Sequence, residues 1–96
     1  MVKSQEETMP TINELFRALS NENRRNILVL LKKGDLTTGE IATHFEMSKI
    51  GISKHLNILT NAGLIEAYKK GQYLCYSLNP IVLREVLKWI EQFYTD

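Results

Sequence analysis

Apolar residues recur at three- and four-residue intervals from Ile12 to Leu59, at two-residue intervals from Leu64 to Leu78, and at helical intervals again beyond Pro80. That pattern predicts four helices, a β-hairpin and a fifth helix. Thr11 and Glu14 have the spacing of a capping box, with Ile12, Leu15, Phe16 and Leu19 following at helical offsets. Ser20-Asn21 breaks this helix, and Asn21 can cap a second one in which Arg24, Ile27, Leu28 and Leu31 share a face. Lys32-Lys33 suits the C-terminal end of its dipole, and Gly34 stops it. Thr37-Thr38-Gly39-Glu40 is a second capping box, opening a short helix with Ile41, Ala42 and Phe45 on one side. Ser48 caps the fourth helix, Ile52, Leu56 and Leu59 form its apolar stripe, and Gly63 sits at its C-terminal stop. Two helices joined by so short a turn make a helix-turn-helix.

The runs Leu64 to Lys69 and Tyr73 to Leu78 are β-favouring, and Lys70-Gly71-Gln72 joins them with Gly71 at a positive-φ position. Alternation predicts that Leu74, Tyr76 and Leu78 share one face and Tyr73, Cys75 and Ser77 the other, one packed and one wet. Asn79-Pro80 opens a last helix expected to reach at least Phe93. It carries two apolar stripes, one of Val82, Val86, Trp89 and Phe93, the other of Leu83, Leu87, Ile90 and Tyr94. One stripe serves the core. At about 25 cal/mol per Å² of apolar surface, leaving the second in water forgoes several kcal/mol, so a partner surface is expected, most simply a second copy of the chain.

With 96 residues, the chain has room for one domain, expected over 11–96 behind a flexible arm at 1–10. A single Cys75 cannot close an intramolecular disulfide, which fits a reducing cytoplasm. The acidic N-terminus has no apolar stretch of a signal or transit peptide, and no apolar run reaches the roughly 18 residues of a membrane span. The formal net charge is only +1, but it is unevenly placed: from Met47 to Tyr73, Lys49, Lys54, Lys69 and Lys70 face Glu66 alone, a local +3 that leaves −2 on the remainder.

The order α-α-α-α-β-β-α, with a helix-turn-helix running into a two-stranded wing, resembles the ArsR-type winged helix-turn-helix repressors over about Ile12 to Phe93. The resemblance is carried by Ala18 to Leu28 (ALSNENRRNIL), similar to the family's A-L-S-D-P-T-R-R-x-I-L. It is carried also by Glu40-Ile41-Ala42, Ser48 to Leu59 (SKIGISKHLNIL), Ala62-Gly63-Leu64-Ile65, and Lys70-Gly71-Gln72 leading to Tyr76-Ser77-Leu78. Within the family the chain is most similar to the SdpR-type autorepressors, which lack metal sites. It departs from the pattern at Asn21-Glu22-Asn23, where the N1 proline is lost, and at Ile50, where the family commonly has proline. The second departure bears on which operator is read. The resemblance implies a mainly α fold with a small β wing, a homodimer through the first and last helices, a palindromic double-stranded DNA operator and autoregulation.

If Ser48 to Ala62 is the recognition helix, burial of Ile52, Leu56 and Leu59 leaves Lys49, Ile50, Ser53, Lys54 and Asn57 for the major groove. Lys49 and Lys54 can donate to guanine, Ser53 and Asn57 to base edges or phosphate, and Ile50 can meet a thymine methyl. Ser48 offers a helix N-terminus to phosphate. Lys69, Lys70 and Gln72 form a cationic wing tip, and Thr37 and Thr38 are further phosphate candidates whose surer role is capping. Arg24 is as suited to bracing the second helix as to reaching DNA. Dimer candidates are Ile12, Phe16, Val86, Trp89, Ile90 and Phe93. The only nitrogen and sulfur ligands, His44, His55 and Cys75, sit on three different elements, so neither a metal nor another cofactor is expected; His55 is expected to pack or hydrogen-bond against the helix-turn-helix. There is no nucleophile elbow, phosphate loop or acid-base set, so an enzyme is not expected. The rival reading is a protein-interaction module that docks a partner through the C-terminal helix. The inducer, or a protein that sequesters the repressor, is not identifiable from the sequence.

Overall fold

The computed structural model describes residues 10–95. The expected N-terminal arm lies outside the described residues except for Pro10. The elements are α1 (Ile12–Leu19), α2 (Glu22–Lys32), β1 (Leu36–Thr37), α3 (Thr38–Ala42), α4 (Lys49–Asn61), β2 (Ile65–Lys70), β3 (Tyr73–Leu78) and α5 (Pro80–Glu91).

Local sequence sets the helix starts. Thr11 and Glu14 form the expected capping box: the Glu14 amide donates to Thr11 Oγ1 at 3.1 Å and the Thr11 amide to Glu14 Oε1 at 2.9 Å. Thr37 and Glu40 repeat it at 3.1 and 2.8 Å. Asn21 and Ser48 cap α2 and α4 by accepting the amides of Arg24 and Gly51. At the end of α4, Gly63 takes φ +78°, its amide donates to the Thr60 carbonyl, and the Leu64 amide donates to that of Leu59. This paired C-terminal motif needs a left-handed residue, which glycine supplies without steric cost, and it turns the chain straight into β2.

The core gathers Leu15, Ile27, Ile41, Ile52, Leu56, Leu59, Leu64 and Ile65, all fully buried. The first four helices and the base of the wing contribute, so α4 is held from several sides, while α5 has no buried residue and packs on the outside of this core.

Three features differ from the sequence expectation. The wing is part of a three-stranded antiparallel sheet of order β1-β3-β2, in which Leu36 and Thr37 pair with Tyr76 and Cys75. A two-residue strand has no period to read. Its presence makes β3 central, so at the sheet base both Cys75 and Tyr76 are buried, while Tyr73 and Leu74 near the tip are exposed. Position along the strand, rather than alternation alone, decides burial. Finally, α5 ends at Glu91 with Gln92 as its cap, and Phe93 and Tyr94 lie in a turn closed on Ile90 and Glu91.

Candidate nucleic-acid interface

The fourth helix has a sharply divided surface. Ile52, Leu56 and Leu59 face the core, whereas Lys49, Ile50, Ser53, Lys54 and Asn57 are all exposed. Ile50 is 71% exposed although apolar. An apolar side chain left in water at the first turn of a helix, between two lysines, is suited to a methyl group in a groove. Ser48 is exposed, and its Oγ accepts the Gly51 amide at 3.1 Å, leaving its hydroxyl proton free to donate.

The wing tip supplies the second surface. Lys70 pairs with Tyr73 across a two-residue loop in which Gly71 takes φ +67°. Positive φ at the first central residue gives a tight turn that keeps strand twist. Lys69, Lys70 and Gln72 project from it, all exposed, and the exposed Tyr73 joins them. Among the described residues the only ion pair is Lys88 with Glu85, so none of the four interface lysines is neutralised internally.

Thr37 and Thr38 are half-buried, and the Thr37 hydroxyl oxygen is engaged in capping α3. Arg24 points inward: it is buried, and its Nε and Nη2 donate to the carbonyls of Ala18 and Arg17 at 2.8 and 3.0 Å. Its Nη1 lies 3.3 Å from His55 Nδ1, so Arg24 braces α1 and α4, and His55 hydrogen-bonds from the helix-turn-helix to α2. A further contact was not legible in the sequence: Tyr68 on β2 donates to Asp35 Oδ2 at 2.6 Å, tying the wing to the segment before β1. That bond, with burial and the Asp35 charge, pushes the Tyr68 phenol up to about 12. The two partners are 33 positions apart, so no spacing rule links them.

On α5, Val82, Leu83 and Val86 pack against the core. Leu87, Trp89, Ile90, Phe93 and Tyr94 are exposed. Phe16, half-buried on α1, meets Trp89 edge-on at 5.3 Å, and Trp89 meets Phe93 at 4.9 Å. The half-buried Ile12 lies on the same helix as Phe16. Among the described residues no group of three His, Cys, Asp or Glu side chains is placed to hold a metal ion, and no helix is long and apolar enough to cross a membrane.

A polar helix face presented by a helix-turn-helix and flanked by a cationic hairpin defines a winged helix-turn-helix DNA-binding regulator. Solved structures bear this out. A crystal structure of an ArsR-family transcriptional regulator superposes with a TM-score of 0.81 at 27% identity, over 90% of this chain and 93% of that one. The homodimeric winged helix-turn-helix DNA-binding domain of a possible ArsR-family regulator from Mycobacterium bovis gives 0.71 at 28% identity, over 86% and 80%. Residues 21–67 match the family model for bacterial regulatory proteins of the arsR family. The transcriptional repressor SdpR of Bacillus subtilis (strain 168) is 50% identical over 82 residues, covering 85% of this chain and 91% of SdpR. The transcriptional activator HlyU of Vibrio cholerae is 30% identical over 80 residues, covering 83% and 74%. The chain belongs to the arsR family of bacterial regulatory proteins.

Proposed function

We propose that this protein is a cytoplasmic transcriptional repressor that binds a palindromic operator as a homodimer, reading bases with Lys49, Ile50, Ser53, Lys54 and Asn57. Ser48, Lys69, Lys70 and Gln72 contact the phosphate backbone, with Thr37 and Thr38 at its margin. The observation that carries this reading is the exposed face of α4, where four polar residues and one apolar residue stand unpaired beside the wing lysines. Similarity to the repressor SdpR, at 50% identity against 30% for the activator HlyU, favours repression; autoregulation is what the resemblance to the SdpR-type autorepressors implies.

Ile12, Phe16, Trp89, Ile90 and Phe93 form the dimer face, with Val86 anchoring α5 beneath it. A two-fold axis through α1 and α5 sets two copies of α4 in successive major grooves about 34 Å apart. The segment 11–96 then acts as one DNA-binding and dimerisation domain. A protein-docking module would leave the exposed face of α4 without a role.

The test is binding to a duplex from the promoter upstream of the chain's own gene, at about 50 mM and about 200 mM salt. A shift that weakens steeply with salt and exceeds that for a random duplex is expected. No preference for the promoter duplex at either salt overturns autoregulation.

A further inference from the structure

Arg24 stands where α1, α2 and α4 meet. Its guanidinium donates to two carbonyls in the last turn of α1, where positive charge also favours the helix dipole. Its third contact, Nη1 to His55 Nδ1 at 3.3 Å, reaches the middle of α4, between Lys54 and Asn57. A guanidinium has donors and no acceptor, so His55 Nδ1 must accept, and the imidazole is neutral with its proton on Nε2.

The surroundings reinforce that state. The charged groups at this junction are Arg24 from α2 and, beside it, Arg17 from α1, both cations; Glu14 of α1, whose carboxylate caps that helix, lines the cleft with Arg17 against Ile58 and Asn61, farther along α4. The other elements packed on α4, namely α3 and β2, bring no charge to bear on the imidazole. Burial and the Arg24 charge both hold His55 below its ordinary value of 6.5. A proton on Nδ1 removes the acceptor and sets two cations against each other at the hinge between α2 and α4.

We propose that Arg24 and His55 are positioning residues for DNA reading: neutral His55 latches α4 to Arg24, and its protonation releases the latch, so specific DNA binding fails in acid. The inference rests on the assignment of α4 as the reading helix. Any state with the latch open takes up the proton more readily, so the latched fraction falls as pH drops below 6.5. Promoter affinity then falls by up to about tenfold per protomer per pH unit. Non-specific binding runs the other way, because added positive charge strengthens attraction to phosphate.

The experiment measures anisotropy of labelled promoter and random-sequence duplexes from about pH 7.5 to about pH 5.5. Wild type should lose promoter affinity progressively below pH 6.5, by up to about tenfold per protomer at the lowest pH, while its affinity for the random duplex holds or rises. His55→Asn places an untitratable Oδ1 where Nδ1 was, so it should bind within a few-fold of wild type at the upper pH and show a flat profile. The same acid loss in wild type and His55→Asn overturns the proposal. A nitrogen-detected NMR titration of wild type keeps it testable if the variant does not fold or no promoter duplex binds. His55 Nδ1 should be unprotonated at neutral pH, and α4 amides should exchange faster once it protonates. A proton on Nδ1 at neutral pH, or unchanged exchange, refutes the latch, whereas absent promoter binding alone refutes the reading-helix assignment.

Discussion

Ile90→Glu tests whether the apolar end of α5 is a subunit interface. Ile90 is 41% exposed in the single chain and neighbours the exposed Leu87, Phe93 and Tyr94. Fully burying such a side chain is worth about 1.5–3 kcal/mol, so covering its remaining surface contributes about 1 kcal/mol per copy. A two-fold interface uses the site twice, giving about 2 kcal/mol. Glutamate loses that and also places an unpaired carboxylate in each half of a closed apolar contact, at a cost of several kcal/mol more. The dimer should weaken by at least about a thousandfold, a little over 4 kcal/mol.

Sedimentation equilibrium at micromolar concentration reads this directly. Wild type should run as a dimer and Ile90→Glu as a monomer whose far-ultraviolet circular dichroism still shows folded helix, because Ile90 lies outside the buried core cluster. Val29→Glu is the matched control: it puts the same charge on an exposed apolar position of α2 and should leave the dimer intact. A wild type that is monomeric at these concentrations, or an Ile90→Glu protein that remains a dimer, refutes the interface.

Lys70→Ala should weaken promoter binding and reduce the slope of log affinity against log salt by about 0.9, the share of one phosphate contact, whereas Lys54→Ala, at a base-reading position, should cost about 1–3 kcal/mol on the promoter and less on a random duplex; titration of both duplexes at three salt concentrations measures it. Leu56→Ala, at a fully buried position of α4, should cost about 2–5 kcal/mol and lower the melting temperature by about 8 °C or more, at about 4–8 °C per kcal/mol for a chain of this size. Tyr68 holds its proton up to about 12 in the folded chain, above the ordinary 10.0, so its contribution is complete below pH 10 and declines as pH rises from there through about 12. Tyr68→Phe should remove that part of the alkaline instability and loosen the wing, visible as faster amide exchange in β2.

What the sequence disclosed and what it hid divide by range. Caps, stops and the buried stripes of α1, α2 and α4 depend on residues three or four apart, and the structure has them where the spacing puts them, down to both Thr-x-x-Glu boxes. The exposed face of α4 is the complement of its buried stripe, so it was legible for the same reason. Contacts across long loops were not. β1 is too short to show alternation, yet it pairs with β3 and makes it the central strand, where Cys75 and Tyr76, which the alternating pattern put on opposite faces, are both buried. The Tyr68–Asp35 bond and the pairing of Arg24 with His55 span 33 and 31 positions, and only the folded chain brings them together.

Those long-range contacts share a geometry that bears on how the protein reads DNA. Thr37 is at once the last residue of β1 and the cap of α3, so the sheet that carries the wing is joined by one residue to the helix preceding α4. Tyr68 ties the outer wing strand to the same connection through Asp35, and Arg24 ties α4 to the end of α1. α4 and the wing are therefore not hinged independently: displacement of α3 strains both the sheet and the turn into α4. With only +3 on residues 47–73 of each protomer, the proposed interface attracts DNA modestly, and its affinity must come from many weak contacts made together. Such contacts add up only if helix and wing keep a fixed separation, which the bonds of Tyr68 and Arg24 and the shared residue Thr37 together hold.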